Sequence, residues 1–219
     1  MATTLFEMAP VIARPPQAGL YRVLYADPPW LERGGGKIKR GADRHYPLMK
    51  TKDIAALPVR DWMSSDAHAY IWVTNNFLPD GLSVLAAWGF TYITKIDWFK
   101  GDVEDDPVAD DVQADTALEA GLGQYYRGVT ESCLFGACGH NGYAFLPNGK
   151  RAQGRTGFHA SRRSLQHSEK PEQMRTMIER VSPRLPRLEM FARRAAPGWD
   201  VWGNEAPEVH DGTETSLGQ

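Results

Sequence analysis

"YRVLYADPPW", residues 21–30, joins a run rich in Tyr, Val and Leu to an acid, two prolines and a tryptophan. Its first six residues predict a β-strand by their aromatic and β-branched content. They alternate little between apolar and polar, as strands covered on both faces do. In open α/β sheets ligands bind beyond the carboxyl ends of the strands, where Asp27 to Trp30 would then stand. Pro28 and Pro29 fix two φ angles and supply no N–H, so their carbonyls can face outward as acceptors on a stiff turn. The combination suits a planar aromatic ligand that carries an NH2 group. Asp27 and the Pro28 carbonyl would each accept one N–H, and Trp30 would stack on the ring. A strand end followed by a Pro-Pro turn, with Asp27 satisfying nearby amides, gives the same letters.

The rest of the chain repeats the strand signal at 67–74, 91–99, 131–137, 186–192 and 199–203. Between these lie helical patterns: 51–63 with Thr51 as a cap, 78–88, and 170–181, where Met174, Met177, Ile178 and Val181 have the spacing of a buried stripe. Pro171 suits the first turn of that last helix. The alternation predicts an α/β fold, a mainly parallel sheet flanked by helices. Residues 1–19 and 206–219 read as flexible terminal segments around one domain at 20–205. Within it, residues 101–123 hold eight acids and no base, the composition of an acidic loop or insertion.

A formal net charge of −2 argues against wholesale attraction to a polyanion, so one would have to be met by local basic patches. Two exist. Residues 31–44 carry Arg33, Lys37, Lys39, Arg40 and Arg44 beside a glycine triplet, and residues 150–163 carry five bases, Arg155 and Arg162 among them, and no acid. The two cysteines and six histidines lack ligand spacing, so no metal is expected. No apolar run approaches a membrane span, and the composition fits a cytoplasmic protein.

Adenine has an amine of the kind Asp27 and Pro28 would hold. That nitrogen is a poor nucleophile because its lone pair is delocalised into the ring. Two acceptors aimed at its hydrogens would favour a pyramidal nitrogen with the lone pair turned toward an electrophile, which is catalysis by positioning.

Here the chain resembles the adenine-N6 methyltransferase family that includes the catalytic subunit of the eukaryotic messenger-RNA methyltransferase and its smaller bacterial and phage relatives. The resemblance runs through "ADPPW", "HYPLM" (45–49), "YIWVTNN" (70–76), "WGFTYITKIDWFKG" (88–101), "ESCLFGACG" (131–139), "HSEKPEQMRTMIERVSP" (167–183), "LEMFARR" (188–194) and "GWDVWGNE" (198–205), in the family's order. It implies a Rossmann-like S-adenosylmethionine-dependent fold with permuted motif order, the catalytic turn preceding the cofactor strand. By that resemblance Asp27, Pro28, Pro29 and Trp30 form the catalytic turn, with Asp27 also near the cofactor's methionine end. Lys170, Glu189, Phe191, Arg193, Asn204 and Glu205 fall where the family holds the cofactor, and Tyr46 resembles its active-site loop tyrosine. The chain departs from the usual cofactor loop of amine methyltransferases, where two glycines flank an aromatic; after Phe191 it reads "ARRAAPGWD".

Asp as the first letter of the turn points, within the resemblance, to adenine. The basic loops would contact the polymer through Arg33, Lys37, Lys39, Arg40, Arg155 and Arg162. DNA is the first expectation, because the chain is compact and lacks added RNA-binding modules. RNA, or a non-catalytic nucleic-acid-binding subunit, is the alternative. A monomer or a homodimer would serve.

Overall fold

The computed structural model describes residues 16–31, 48–101, 125–140, 144–161, 169–182 and 184–203. Among the described residues seven strands form one sheet: β1 (Tyr21–Ala26), β2 (Met63–Val73), β3 (Thr91–Lys100), β4 (Thr130–Cys138), β5 (Gly157–Ala160), β6 (Arg187–Met190) and β7 (Asp200–Trp202). Their order is β5-β3-β4-β2-β1-β6-β7. β4 runs antiparallel to β2 and β3, and the remaining neighbours are parallel. The expected mainly parallel sheet is therefore present, with one reversed strand near its middle. Because β4 alone is reversed, its first residues lie at the edge where the other six strands end.

The strand residues divide by parity between two cores. Leu24, Ala26, Ala69, Ile71 and Val73 face one side, where they meet Ile54 of α1 (Thr51–Ala55) and Val84 and Leu85 of α3 (Leu78–Ala87). Val23, Tyr25, Tyr70 and Trp72 face the other, against Met174 and Ile178 of α4 (Glu172–Val181). Both faces are thus covered, which is why the strands lack polar alternation. Each fully buried Leu or Ile contributes about 1.5–3 kcal/mol. α3 lies so close that a Cβ at Gly81 would overlap Val73.

Four local expectations change. The helix read at 51–63 is two pieces, α1 and α2 (Val59–Trp62), because Pro58 has no N–H to continue the first and disfavours helical backbone at Leu57. Residues 63–66 then join β2. Thr51 is the first helical residue, after Lys50 at the N-cap, and its hydroxyl donates to Asp80 Oδ1 at 2.6 Å. Pro171 is itself the extended N-cap residue of α4, one place before the first turn. β5 arises inside the basic stretch that read as a loop, by pairing in parallel with the end of β3.

Candidate active site

Asp27 stands immediately beyond β1, at the edge where the parallel strands end. Its Oδ2 accepts from Lys170 Nζ at 2.7 Å. Lys170 precedes α4, and its ammonium also lies 3.5 Å from Glu131 Oε2 and 5.6 Å from the centroid of the Trp72 ring. Glu131, near the start of β4, receives Lys100 Nζ at 2.7 Å on its other oxygen. The result is an alternating chain of charge, Asp27, Lys170, Glu131, Lys100, laid across the edge of the sheet. The Asp27 side chain is 30% exposed, yet protein rings the carboxylate on most sides. This desolvation raises its pKa; Lys170 opposes the rise, Glu131 adds to it, and Arg193 opposes it.

The Pro-Pro turn is stiffer than its prolines alone require. Trp30 N–H donates back to the Pro28 carbonyl at 2.9 Å, an i to i+2 bond around Pro29. Met49 N–H donates to the Pro29 carbonyl at 2.7 Å, and Leu31 N–H to the Met49 carbonyl at 2.9 Å. The expectation of two outward-facing carbonyls is corrected: Pro29 is engaged in this bridge, and Pro28 keeps one lone pair. The stacking expected of Trp30 on a ligand is corrected too. Its indole is 8% exposed, stacks on Phe77 with centroids 5.5 Å apart, and donates Nε1–H to the Trp72 carbonyl at 3.0 Å. Trp30 anchors the turn from beneath.

The next strand over carries the second group. Glu189 pairs in register with Tyr25 of β1, and Phe191 follows the carboxyl end of β6. Glu189 Oε2 accepts from Arg175 Nη2 of α4 at 2.7 Å. Burial raises the Glu189 pKa, and the Arg175 charge works against that rise. Phe191 has φ 61°, a left-handed conformation that costs a non-glycine residue about 1–2 kcal/mol. Its N–H donates to the Trp202 carbonyl at 2.5 Å, and its ring meets the Trp202 indole edge-on, with centroids 5.8 Å apart. A Cβ on Gly203 would stand 2.8 Å from Phe191 Cα, so glycine there lets β7 press against the turn. Arg193 is exposed, and its charge reaches Asp27.

Asp27, Lys170, Glu189, Phe191 and Arg193 therefore share one edge of the sheet. Arg155 does not. It precedes β5, on the side away from that edge, and lines a cavity of about 370 Å³ with Tyr70, Phe135, Met177 and Val181. The reading of 150–163 as a loop bordering the site is corrected for Arg155. Arg33, Lys37, Lys39, Arg40, Tyr46, Arg162, Asn204 and Glu205 lie outside the described residues. Glu131, Lys100 and Arg175 were not anticipated. An acid opening an apolar run, as Glu131 does, was the available signal. Among the described residues no group of three or more His, Cys, Asp or Glu gathers as round a metal ion, and no helix is long and apolar enough to cross a membrane.

The chain is similar over most of its length to known proteins. The MT-A70 family model matches residues 21–205. The type II methyltransferase M.MunI of a Mycoplasma species is 28% identical over 208 residues, covering 86% of this chain and 78% of that protein. A probable N(6)-adenosine-methyltransferase MT-A70-like of Oryza sativa subsp. japonica is 30% identical over 193 residues, 85% of this chain and 23% of its own length. The human N(6)-adenosine-methyltransferase catalytic subunit METTL3 is 26% identical over 199 residues, 88% of this chain and 29% of its own length. The chain belongs to the MT-A70 family.

Proposed function

We propose that this member of the MT-A70 family transfers a methyl group from S-adenosylmethionine to the N6 amine of adenine in DNA. The observation that carries the reading is the contact of Asp27 with Lys170, 2.7 Å apart at the carboxyl edge of a sheet whose next strand presents Glu189 and Phe191. The donor set fits the cofactor. Lys170 suits its carboxylate, Asp27 its ammonium, Glu189 the ribose diol and Phe191 an apolar face of the molecule. Arg193, Asn204 and Glu205 would complete the enclosure. When bound, S-adenosylmethionine supplies an electrophilic methyl group on sulfur.

The chain's own residues then do three things. Asp27 and the remaining lone pair of the Pro28 carbonyl accept the two amine hydrogens and aim the nitrogen's lone pair. Trp30, by holding the turn on Phe77 and Trp72, keeps those acceptors from rearranging. Lys170 opposes the rise in the Asp27 pKa that burial and Glu131 cause. Tyr46 and the basic residues Arg33, Lys37, Lys39, Arg40 and Arg162 would meet the polymer. Taking the adenine out of a duplex costs a few kcal/mol, which a single strand largely avoids.

The near co-extensive match to a type II methyltransferase supports DNA; the matches to N(6)-adenosine-methyltransferases span only about a quarter of those chains. They favour RNA as the second reading. Labelled S-adenosylmethionine offered with matched duplex DNA, single-stranded DNA and RNA, followed by mass spectrometry of the nucleosides, tests both. N6-methyladenine in a DNA pool is the expected product. Label confined to RNA selects the second reading, and label in no pool from folded protein removes the enzymatic one.

A further inference from the structure

Arg175 stands in α4 between the fully buried Met174 and the apolar core under Ile178, and is itself 8% exposed. Its guanidinium points inward. Nη2 donates to Glu189 Oε2 at 2.7 Å, Nη1 donates to Glu172 Oε2, and the buried Nε has no acceptor among the described residues. Burial works against its charge, but Glu189 and Glu172 more than offset this and hold the guanidinium protonated. A buried ion pair with one N–H unsatisfied adds little stability that a well-packed apolar side chain would not supply. The arginine is therefore better explained by what it does to Glu189.

We infer that Arg175 is a positioning residue for the cofactor's ribose: it fixes the Glu189 carboxylate beside the carboxyl end of β6 through one oxygen and leaves the other to accept from the ribose diol. This rests on the reading of the site as one for S-adenosylmethionine. Glu189 Oε2 is taken by Arg175, and Oε1 accepts nothing among the described residues. The fixing extends further. Glu172 Oε2 also accepts from Arg194 at 3.0 Å, and Arg194 reaches Glu169 at 2.9 Å. Glu169 adjoins Lys170, the partner of Asp27. One network thus ties the acid proposed for the ribose to the cation proposed for the methionine end.

Among the described residues the groups that act most on Glu189 are Arg175 and Glu172 from α4 and Asp27 beyond β1, with the buried Tyr25 phenol, whose pKa burial raises, beside it on β1. Of these Arg175 alone is cationic. With it gone, burial, Glu172 and Asp27 all push Glu189 toward its protonated form, which cannot accept a second hydrogen bond as an anion does.

The test is calorimetric binding of S-adenosylmethionine to the full chain across a pH series, for wild type, Arg175→Met, Arg175→Lys and Glu189→Gln. Arg175→Met should bind at least about tenfold more weakly at neutral pH, the loss expected for a charged hydrogen bond. Its acid limb should move to higher pH, so that affinity recovers on the alkaline side. Arg175→Lys keeps the charge but offers one donor point for two carboxylates, so its limb should stay near the wild-type position with affinity reduced a few-fold. It also carries the test if Arg175→Met fails to fold, because wild-type affinity in Arg175→Lys would then overturn the proposal. An Arg175→Met profile superimposable on wild type, with Glu189→Gln weakened, leaves Arg175 a packing residue and overturns the proposal. Wild-type affinity in Glu189→Gln would instead overturn the reading of Glu189 on which the proposal stands.

Discussion

Replacing Gly203 by alanine should damage the Phe191 turn, which stands between the ends of β6 and β7. An added Cβ would lie 2.8 Å from Phe191 Cα, 3.0 Å from Ala192 N and 3.0 Å from Phe191 C. All three are backbone atoms, and none belongs to a side chain that could swing aside. The Phe191–Ala192 backbone cannot retreat without stretching the Ala192 N–H bond to the Trp202 carbonyl, already 3.3 Å. Overpacking of this kind costs about 1–3 kcal/mol. Weakening one backbone hydrogen bond adds about 1 kcal/mol. For a chain of this size, about 2–4 kcal/mol lowers Tm by roughly 5–15 °C. The displaced turn should also weaken cofactor binding, because the Phe191 ring moves with it. Thermal unfolding and calorimetry on Gly203→Ala measure the two effects. Wild-type Tm together with wild-type affinity would refute the argument that β7 sets the Phe191 turn.

Other outcomes follow from the same geometry. Asp27→Asn should slow methyl transfer at least about a hundredfold while leaving Tm at neutral pH equal to or above wild type, since the folded state raises the Asp27 pKa above 3.8 and so disfavours its anion. That advantage should shrink as pH falls through the raised folded value and be gone below 3.8, where both states hold the proton; a difference that grew on acidification would contradict it. Trp30→Phe keeps a ring on Phe77 but strips the Trp72 carbonyl of its donor, costing about 1–3 kcal/mol in denaturant unfolding. If Trp30 instead stacked on the target base, the polymer KM would rise with stability intact. Burial, aided by the Arg184 charge, lowers the His68 pKa from 6.5 to about 4. Stability from keeping this ring neutral is complete above pH 6.5 and is lost as pH falls toward 4, up to about 3 kcal/mol. Urea unfolding of His68→Gln should show a flatter dependence over that interval.

Strand β1 and the stripe of α4 were legible because each is a local pattern: six residues of strand character before Asp27, and apolar residues at helical spacing from Met174. The break at Pro58 was legible in principle, since proline ends a helix wherever it lacks a first-turn position. The reversal of β4 was not, because composition does not encode direction; "ESCLFGA" reads alike in a parallel or antiparallel neighbour. β5 is four residues at an edge and owes its existence to β3. Asp27 and Lys170 could each be singled out, but their contact spans 143 residues and belongs to the topology. Arg175 hid for a different reason. On a helical pattern it passes for a solvated cation, and only the tertiary fold turns it toward Glu189.

The most direct test of the account compares wild type with Asp27→Asn in single-turnover methyl transfer to an adenine-containing oligonucleotide, with S-adenosylmethionine binding measured in parallel. The account predicts N6-methyladenine from wild type and, at saturating cofactor, a loss of at least about a hundredfold in rate for the variant, the scale of removing a group that stabilises developing charge, with cofactor bound more weakly because Asp27 also suits its ammonium. Asp27→Asn transferring at the wild-type rate would contradict it.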